Sequence, residues 1–155
     1  MSWIDNMFDM ARVAADGSRD PATKVGCVVV DEDKVVLATG RNGFPMGVKE
    51  TPERWERPEK YSFVSHAEMN AIALSARTGR RLKGGTIFIT HPPCSMCARL
   101  IIQAGIEGVY YLDNPTSMPA EEFRIASQML AEAGVWRCEC SASHRGITGP
   151  TAKQE

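Results

Sequence analysis

Two short segments bring together three side chains that bind zinc and one free acid. His66 and Glu68 belong to His66-Ala67-Glu68, and Cys94 and Cys97 belong to Pro93-Cys94-Ser95-Met96-Cys97. A neutral imidazole and two thiolates supply three donors, whereas tetrahedral Zn²⁺ takes four ligands. The open position would hold a water, whose pKa on such a zinc falls from about 15.7 to about 7. These residues predict a catalytic zinc centre in which Glu68 carries the proton.

A structural zinc site would instead close with a fourth protein ligand. The remaining cysteines and histidines lie in separate segments without a paired ligand spacing: Cys27, His91, Cys138, Cys140 and His144. Structural zinc ligands usually occur as closely spaced pairs. The catalytic interpretation is therefore favoured.

Each ligand segment is predicted to begin a helix. His66 precedes apolar residues at helical spacing (Ala67, Ala71, Ile72, Leu74), and Cys94 and Cys97 precede Ala98 and 100–102. Free amide groups and the helix dipole at such an N-terminus lower thiol pKa values and favour thiolate ligands. On a regular helix, however, positions 66 and 68 would diverge by about 200°. Spacing by itself therefore does not place Glu68 in the same site as His66.

Simpler interpretations exist for each residue taken singly. A Cys-x-x-Cys pair in an intracellular protein is often a redox pair. Glu68 could be an ordinary acid of a first helical turn, and His66 an ordinary cap or core histidine. The combination of strand, Pro-Cys-x-x-Cys and helix in series favours the zinc site.

Composition predicts one globular domain and a small substrate. A chain of 155 residues with 43% hydrophobic content is large enough for a core, which we expect over residues 1–140, followed by a polar tail at 141–155. A net charge of -1 with both signs interspersed argues against binding to polymeric nucleic acid. Five cysteines, the lack of a signal pattern and the lack of a long apolar run predict the cytoplasm and no membrane span.

Periodicity predicts an α/β fold with five strands. Helices are expected from Ser2 to Ala15, from His66 to Gly79, from Cys94 to Gly105 and from Pro119 to Ala133. Strands are expected at Val25–Val30, Val35–Ala38, Thr86–Thr90, Val109–Leu112 and Val135–Cys140. The first two strands form a hairpin, and the strand-helix-strand unit around Cys94 predicts parallel strands with a helical crossover.

The segment from Gly40 to Ser65 shows little periodicity and is long for a connection, which predicts an insertion or a functional loop. Trp55 with Arg54, Arg57 and Lys60 could be a nucleotide-contacting patch, but a surface loop around one packed aromatic is the commoner outcome.

The other cysteines are given structural roles. Cys27 is expected in the core. Cys138 and Cys140 share one face of a strand, which predicts a core or subunit contact.

Residues 2 to 140 resemble the cytidine deaminase superfamily and, within it, the deoxycytidylate (dCMP) deaminase family. The zinc motif marks the superfamily. The Asn-Gly-x-Pro loop and the Asp-Pro before the first strand mark the nucleotide-level enzymes. The matching stretches are Ser18–Pro21, Val25–Cys27, Gly40–Pro45, Tyr61, His66–Ile72, Pro93-Cys94 and Ile101–Ile106.

The resemblance implies a three-layer α/β/α sandwich around a five-stranded mixed sheet. It implies zinc held by His66, Cys94 and Cys97, with one ion per chain because residues 44–65 contain neither Cys nor His. The implied reaction converts dCMP to dUMP and ammonia and feeds dTMP synthesis. Glu68 would take a proton from the attacking water, pass it to N3 of cytosine and later protonate the leaving amine.

The resemblance also implies substrate contacts and assembly. Asn42 would contact the sugar, Thr23 and Lys24 would approach the 5′-phosphate, and Ala67 is a further substrate-binding position; Lys24 could equally be a solvated strand-edge charge. A homo-oligomer, dimer or hexamer, is expected, with dCTP and dTTP as effectors. Apolar faces at Ile101, Ile102 and Val109 suit an oligomer contact or simple core burial. Cytidine, guanine and tRNA adenosine are alternative substrates, because pocket shape sets base choice.

Overall fold

A computed structural model describes residues 2–143, so most of the predicted polar tail, residues 144–155, lies outside the described residues. The helices are α1 (Trp3–Asp16), α2 (Lys60–Phe63), α3 (Ala67–Thr78), α4 (Ser95–Gln103) and α5 (Ala120–Glu132), with a 3₁₀ turn at Pro52–Trp55. The strands are β1 (Gly26–Val30), β2 (Val36–Arg41), β3 (Thr86–Ile89), β4 (Gly108–Leu112) and β5 (Trp136–Cys140). No helix within residues 2–143 combines the length and the apolar character that a bilayer crossing requires.

The five strands form one mixed sheet in the order β2-β1-β3-β4-β5. β1 pairs antiparallel with both β2 and β3, whereas β3, β4 and β5 are parallel. The parallel half arises because α4 and α5 carry the chain back between consecutive strands. The predicted five-stranded mixed sheet is confirmed.

Helices cover both faces of the sheet. On one face, α1 packs Met7, Phe8 and Ala11 against alternate strand residues such as Val28 and Phe88. On the other face, α3, α4 and α5 cover the intervening residues, which include Cys27, Ile87, Ile89 and Val109. Strand residues alternate between the two faces, and both faces are apolar, which explains why β1 and β3 are almost entirely buried. The predicted three-layer sandwich is confirmed.

Residues predicted to supply an oligomer contact are buried within the chain. Ile101 and Val109 are fully buried in the core beneath α4, and Ile102 packs partly against the same cluster. Core burial, the alternative interpretation, therefore accounts for Ile101 and Val109. Cys138 and Cys140 also lie in the core, on the α1 side, as does Cys27 on the opposite side.

The long segment after β2 is closed at its base. β2 continues to Arg41, beyond the predicted end at Ala38, and an isolated bridge then pairs Gly43 with Ser65. Both backbone hydrogen bonds of this bridge form, at 3.0 and 2.8 Å. We call residues 44–64 the insert. It contains the 3₁₀ turn and α2, two short elements that its irregular sequence did not predict.

Aromatic side chains pack inside the insert. Phe44 contacts Trp55 at 4.9 Å and stacks on Phe63 at 5.8 Å between ring centroids. Arg54 lies 4.3 Å from the Phe63 ring centroid, a cation–π contact. Trp55 is therefore packed, as the surface-loop interpretation expects, and the insert has an aromatic cluster of its own.

Candidate active site

His66 and Glu68 reach the same site because His66 is not part of the helix. It is the N-cap residue of α3, with an extended backbone (φ -70°, ψ 159°), and the helix begins at Ala67. The angular divergence expected on a regular helix therefore does not apply. Glu68 lies in the first turn and is 4% exposed.

A glycine of β2 allows α3 to start this close to the sheet. A Cβ atom on Gly40 would lie 2.2 Å from the carbonyl oxygen of Ala67 and 2.9 Å from the amide nitrogen of Ala71. Only a residue without a Cβ fits this gap. Gly40 thus sets how closely the start of α3, with His66 and Glu68, packs against β2.

The two cysteines occupy the start of α4. Cys94 is the extended N-cap residue (φ -82°, ψ 175°), and Cys97 lies within the first turn. Their sulfur atoms are each 3.4 Å from Nδ1 of His66, and the three donor atoms lie within 4.8 Å of one another.

This donor set fits a zinc ion. Zn–N bonds of about 2.0 Å and Zn–S bonds of about 2.3 Å at tetrahedral angles place nitrogen and sulfur about 3.5 Å apart. The observed nitrogen-to-sulfur separations agree with that value. His66, Cys94 and Cys97 are the only cluster of this kind among residues 2–143, and it offers three ligands. The predicted ligand set is thus brought together, with no fourth protein donor in the cluster.

Hydrogen bonds within the cluster favour the thiolate form of Cys94 even without a bound ion. The Cys97 thiol donates to Cys94, which lowers the pKa of Cys94 to about 4 and raises that of Cys97; His66 stabilises the Cys94 thiolate further. The hydrogen bond to Cys94 in turn raises the pKa of His66. A bound cation favours deprotonated thiols, so both sulfur atoms would act as thiolate ligands.

Glu68 is a buried acid next to these ligands. Burial raises its pKa to about 7, against the opposing effect of His66. Its carboxyl group also hydrogen-bonds to the thiol of Cys97. A carboxyl group with a pKa near neutrality can both accept and release a proton at physiological pH, as general acid–base catalysis requires.

One pocket is lined by Glu68 and by two of the three ligands, His66 and Cys94, whereas Cys97 is fully buried and does not line it. Its lining residues are Asp20, Thr23, Val25, Asn42, Arg57, Lys60, Tyr61, Val64, His66, Ala67, Glu68, His91, Pro92, Cys94, Thr116, Ser117 and Met118. Three of the four residues expected to contact substrate, Thr23, Asn42 and Ala67, line this pocket. Lys24 is exposed and is not among the lining residues.

Asn42 is held by a buried network. Its Nδ2 group donates to Asp20 Oδ2 at 3.0 Å and to the carbonyl oxygen of Thr23 at 2.9 Å. Its Oδ1 atom accepts from the amide of Val25 at 2.9 Å. Both donor hydrogens are therefore used inside the protein, and one lone pair of Oδ1 is left to accept a hydrogen bond.

The structure adds pocket residues that the sequence analysis did not assign to the site. Arg57 and Lys60 were set aside as part of a surface loop, but both line the pocket. His91 lies after β3, with its pKa lowered by burial, and Thr116–Met118 follow β4. Sites in α/β proteins form beyond the carboxyl ends of parallel strands. That rule, applied to β3 and β4, would have indicated these two loops.

Comparison with known families agrees with this geometry. Residues 1–113 match the family described as "Cytidine and deoxycytidylate deaminase zinc-binding region". The chain belongs to this family. The predicted zinc dependence is confirmed by the family's zinc-binding region together with the ligand cluster.

Several relatives are named as deoxycytidylate deaminases. This chain is 41% identical over 128 residues to a probable deoxycytidylate deaminase of Caenorhabditis elegans, covering 80% of this chain and 62% of the relative. The deoxycytidylate deaminase of Homo sapiens is 33% identical over 87% of this chain and 78% of its own length. The chain thus spans less than two thirds of the nematode protein.

A solved dCMP deaminase has the same fold. The enzyme of cyanophage S-TIM5 in apo form superposes with a TM-score of 0.71 at 29% identity, covering 88% of this chain and 96% of the phage chain. Its complex with dCMP and dUMP superposes with a TM-score of 0.66 at 27% identity, covering 89% and 93%.

Proposed function

We propose that this protein deaminates dCMP hydrolytically to dUMP and ammonia. The observation that carries the proposal is the three-donor cluster, two members of which line the same pocket as the buried acid Glu68. The names of the nematode and human relatives and the dCMP-bound phage enzyme support the choice of substrate. The dUMP formed would feed dTMP synthesis.

The chemistry divides between the metal and the chain. His66, Cys94 and Cys97 would hold a zinc ion, which would lower the pKa of water and so make a nucleophile available at neutral pH. Glu68 accepts a proton from this water and delivers it to N3 of cytosine, which makes C4 electrophilic. The hydroxide left by this proton transfer would add to C4, and Glu68 would then carry the proton of the new hydroxyl group to the amino nitrogen. The C4–N bond would break, ammonia would leave, and C4 would become the carbonyl carbon of dUMP. The raised pKa of Glu68 suits both directions of transfer.

Pocket residues would position the nucleotide. The unused lone pair of Asn42 Oδ1 is available to a hydroxyl of the sugar. Ala67, at the start of α3, and Thr23, in the turn before β1, both line the pocket. Ala67 would contact the base, and Thr23 would contact the phosphate end. Lys24 would approach the phosphate from outside the lining.

One experiment tests substrate and metal together. Ammonia release is measured with cytidine, deoxycytidine, dCMP, dCTP and tRNA, and zinc content is determined on the same protein sample. We expect dCMP to be the best substrate and about one zinc per chain. Preferred turnover of a nucleoside or of tRNA adenosine would contradict the choice of substrate, and an active protein without zinc would contradict the mechanism.

Assembly, regulation and location are parts of the same proposal. A homo-oligomer, dimer or hexamer, would be visible by sedimentation, and its response to dCTP and dTTP would show whether these nucleotides act as effectors. A monomer that ignores both nucleotides would contradict this part. The five free cysteines suit a reducing compartment, which supports the cytoplasm.

A further inference from the structure

Two cations of the insert line the pocket, but one of them is already neutralised. Lys60 Nζ contacts both carboxylate oxygens of Asp20, at 2.9 Å to Oδ1 and 2.8 Å to Oδ2. The side chains are 12% and 1% exposed, so this is a nearly buried ion pair. Lys60 therefore adds little net charge to the pocket.

Arg57 is the cation of the insert that lines the pocket without a carboxylate partner among the described residues. Within the described part of the chain it has no carboxylate at ion-pair distance, unlike Lys60. Its Nη2 group donates to Ser117 Oγ at 3.1 Å, and its guanidinium lies 5.9 Å from the Tyr61 ring centroid. These contacts hold Arg57 across the exposed mouth of the pocket, between the insert and the loop after β4.

The two ends of the pocket differ in chemistry. Glu68 and the ligands His66 and Cys94 line the end where a base can react, and Glu68 and Cys94 are buried there. The mouth offers a guanidinium and the hydroxyl groups of Thr116 and Ser117, all of which can donate hydrogen bonds. A guanidinium matches the oxygens of a phosphate in a bidentate manner and remains charged at every physiological pH.

We propose that Arg57 binds the 5′-phosphate of the substrate and so makes the enzyme select a nucleotide over a nucleoside. This inference rests on the proposed deamination of dCMP. Lys60 has a different task, because its pair with Asp20 fixes the insert and thereby places Arg57.

The test compares dCMP with deoxycytidine in an Arg57→Gln variant. We expect KM for dCMP to rise roughly ten- to a hundredfold, the range for losing a hydrogen-bonded charged contact, while kcat/KM for deoxycytidine stays unchanged. Arg57→Lys keeps the positive charge but loses the bidentate hydrogen bonding of the guanidinium, so its KM for dCMP should rise less than that of Arg57→Gln. Added salt should raise KM for dCMP in the wild type and have less effect in Arg57→Gln.

A binding measurement provides a second readout without turnover. The affinities of dUMP and deoxyuridine are measured by calorimetry on both proteins. The wild type should prefer dUMP, and Arg57→Gln should lose most of that preference with no change for deoxyuridine.

Arg54→Gln is the matched control. Arg54 lies in the same insert, stacks on Phe63 and donates to the carbonyl oxygen of Lys49 at 2.7 Å, but it does not line the pocket. An equal effect of Arg54→Gln would mean that the insert is merely disturbed, and would overturn the inference. So would a larger effect of Lys24→Gln, or an unchanged KM for dCMP in Arg57→Gln. If the wild type does not turn over dCMP, the proposed function itself is wrong. If the wild type turns over dCMP but Arg57→Gln has an unchanged KM, only the role of Arg57 is wrong.

Discussion

At the scale of single residues, Glu68 is the side chain whose position most constrains the chemistry. A carboxyl group that is 4% exposed loses hydration, which raises its pKa. The nearby charge of His66 and the hydrogen bond with the thiol of Cys97 lower the pKa again. Its pKa near 7 follows from burial outweighing these stabilising contacts. The three ligand donors are complete without it, so its role is separable from metal binding.

Substituting Glu68 by Gln should remove the proton carrier and leave the ligands intact. We expect ammonia release from dCMP to fall by at least about a hundredfold, the lower bound for losing a general acid–base group. Zinc content, measured by elemental analysis, should stay equal to that of the wild type. A variant that keeps its zinc and retains nearly full activity would contradict the assigned role.

At the scale of elements, the approach of α3 to β2 sets the position of the site. Gly40→Ala would place a methyl group 2.2 Å from the carbonyl oxygen of Ala67, so the start of α3 must move. We expect a loss of roughly 1–3 kcal/mol in the free energy of unfolding, typical of overpacking, and weaker zinc binding. Urea denaturation and zinc titration measure the two effects.

Gly43→Ala is the control for this substitution. A Cβ atom at Gly43 meets no atom within 4 Å, although it lies three residues away on the same stretch of chain. We expect its stability and zinc affinity to remain close to wild type. Equal losses in both variants would show that the close approach at Gly40 is unimportant.

The ion pair between Asp20 and Lys60 joins the insert to the turn before β1. Lys60→Met would leave Asp20 buried without its cation, which costs about 3 kcal/mol, the lower end for breaking a buried pair because Lys60 is 12% exposed. The insert should then be cleaved faster in limited proteolysis. Lys49→Met, an exposed position in the same insert, should change neither readout; similar cleavage of both variants would contradict the assignment.

At the scale of the whole molecule, a zinc ion held by the three ligands would join two helices that are separated in sequence. α3 supplies His66 at its N-cap and α4 supplies both thiols, and the two helices pack on the same face of the sheet. An ion bound to the folded chain stabilises it by mass action. Chelation should therefore lower the melting temperature and abolish activity, and zinc should restore both.

Two cysteine variants sharpen the chelation experiment. Cys97→Ala should bind little zinc and show a melting temperature that no longer responds to chelator. Cys27→Ala removes a buried thiol that is outside the ligand cluster, so it should keep about one zinc per chain and the full response. Loss of zinc in Cys27→Ala, or its retention in Cys97→Ala, would contradict the ligand assignment.

Much of the fold could be predicted because the signals for it are local. Short continuous apolar runs marked β1 and β3, and the Ser2 capping box marked the start of α1. The two short elements of the insert were missed because 3₁₀ turns and one-turn helices are too short to show periodicity. The end of β2 was missed because Gly40 has low strand propensity, and Gly40 and Arg41 are held in the strand by pairing with β1.

The amino-acid sequence by itself determined which metal ligands are available, since His66, Cys94 and Cys97 are residue types that bind zinc. The apolar patterns that follow them place each ligand at the start of a helix. Tertiary structure decided what faces these ligands. Glu68 joins them because His66 is extended, and Arg57 reaches the pocket because the insert folds back through contacts between residues far apart in sequence. Such contacts depend on packing that no local pattern encodes.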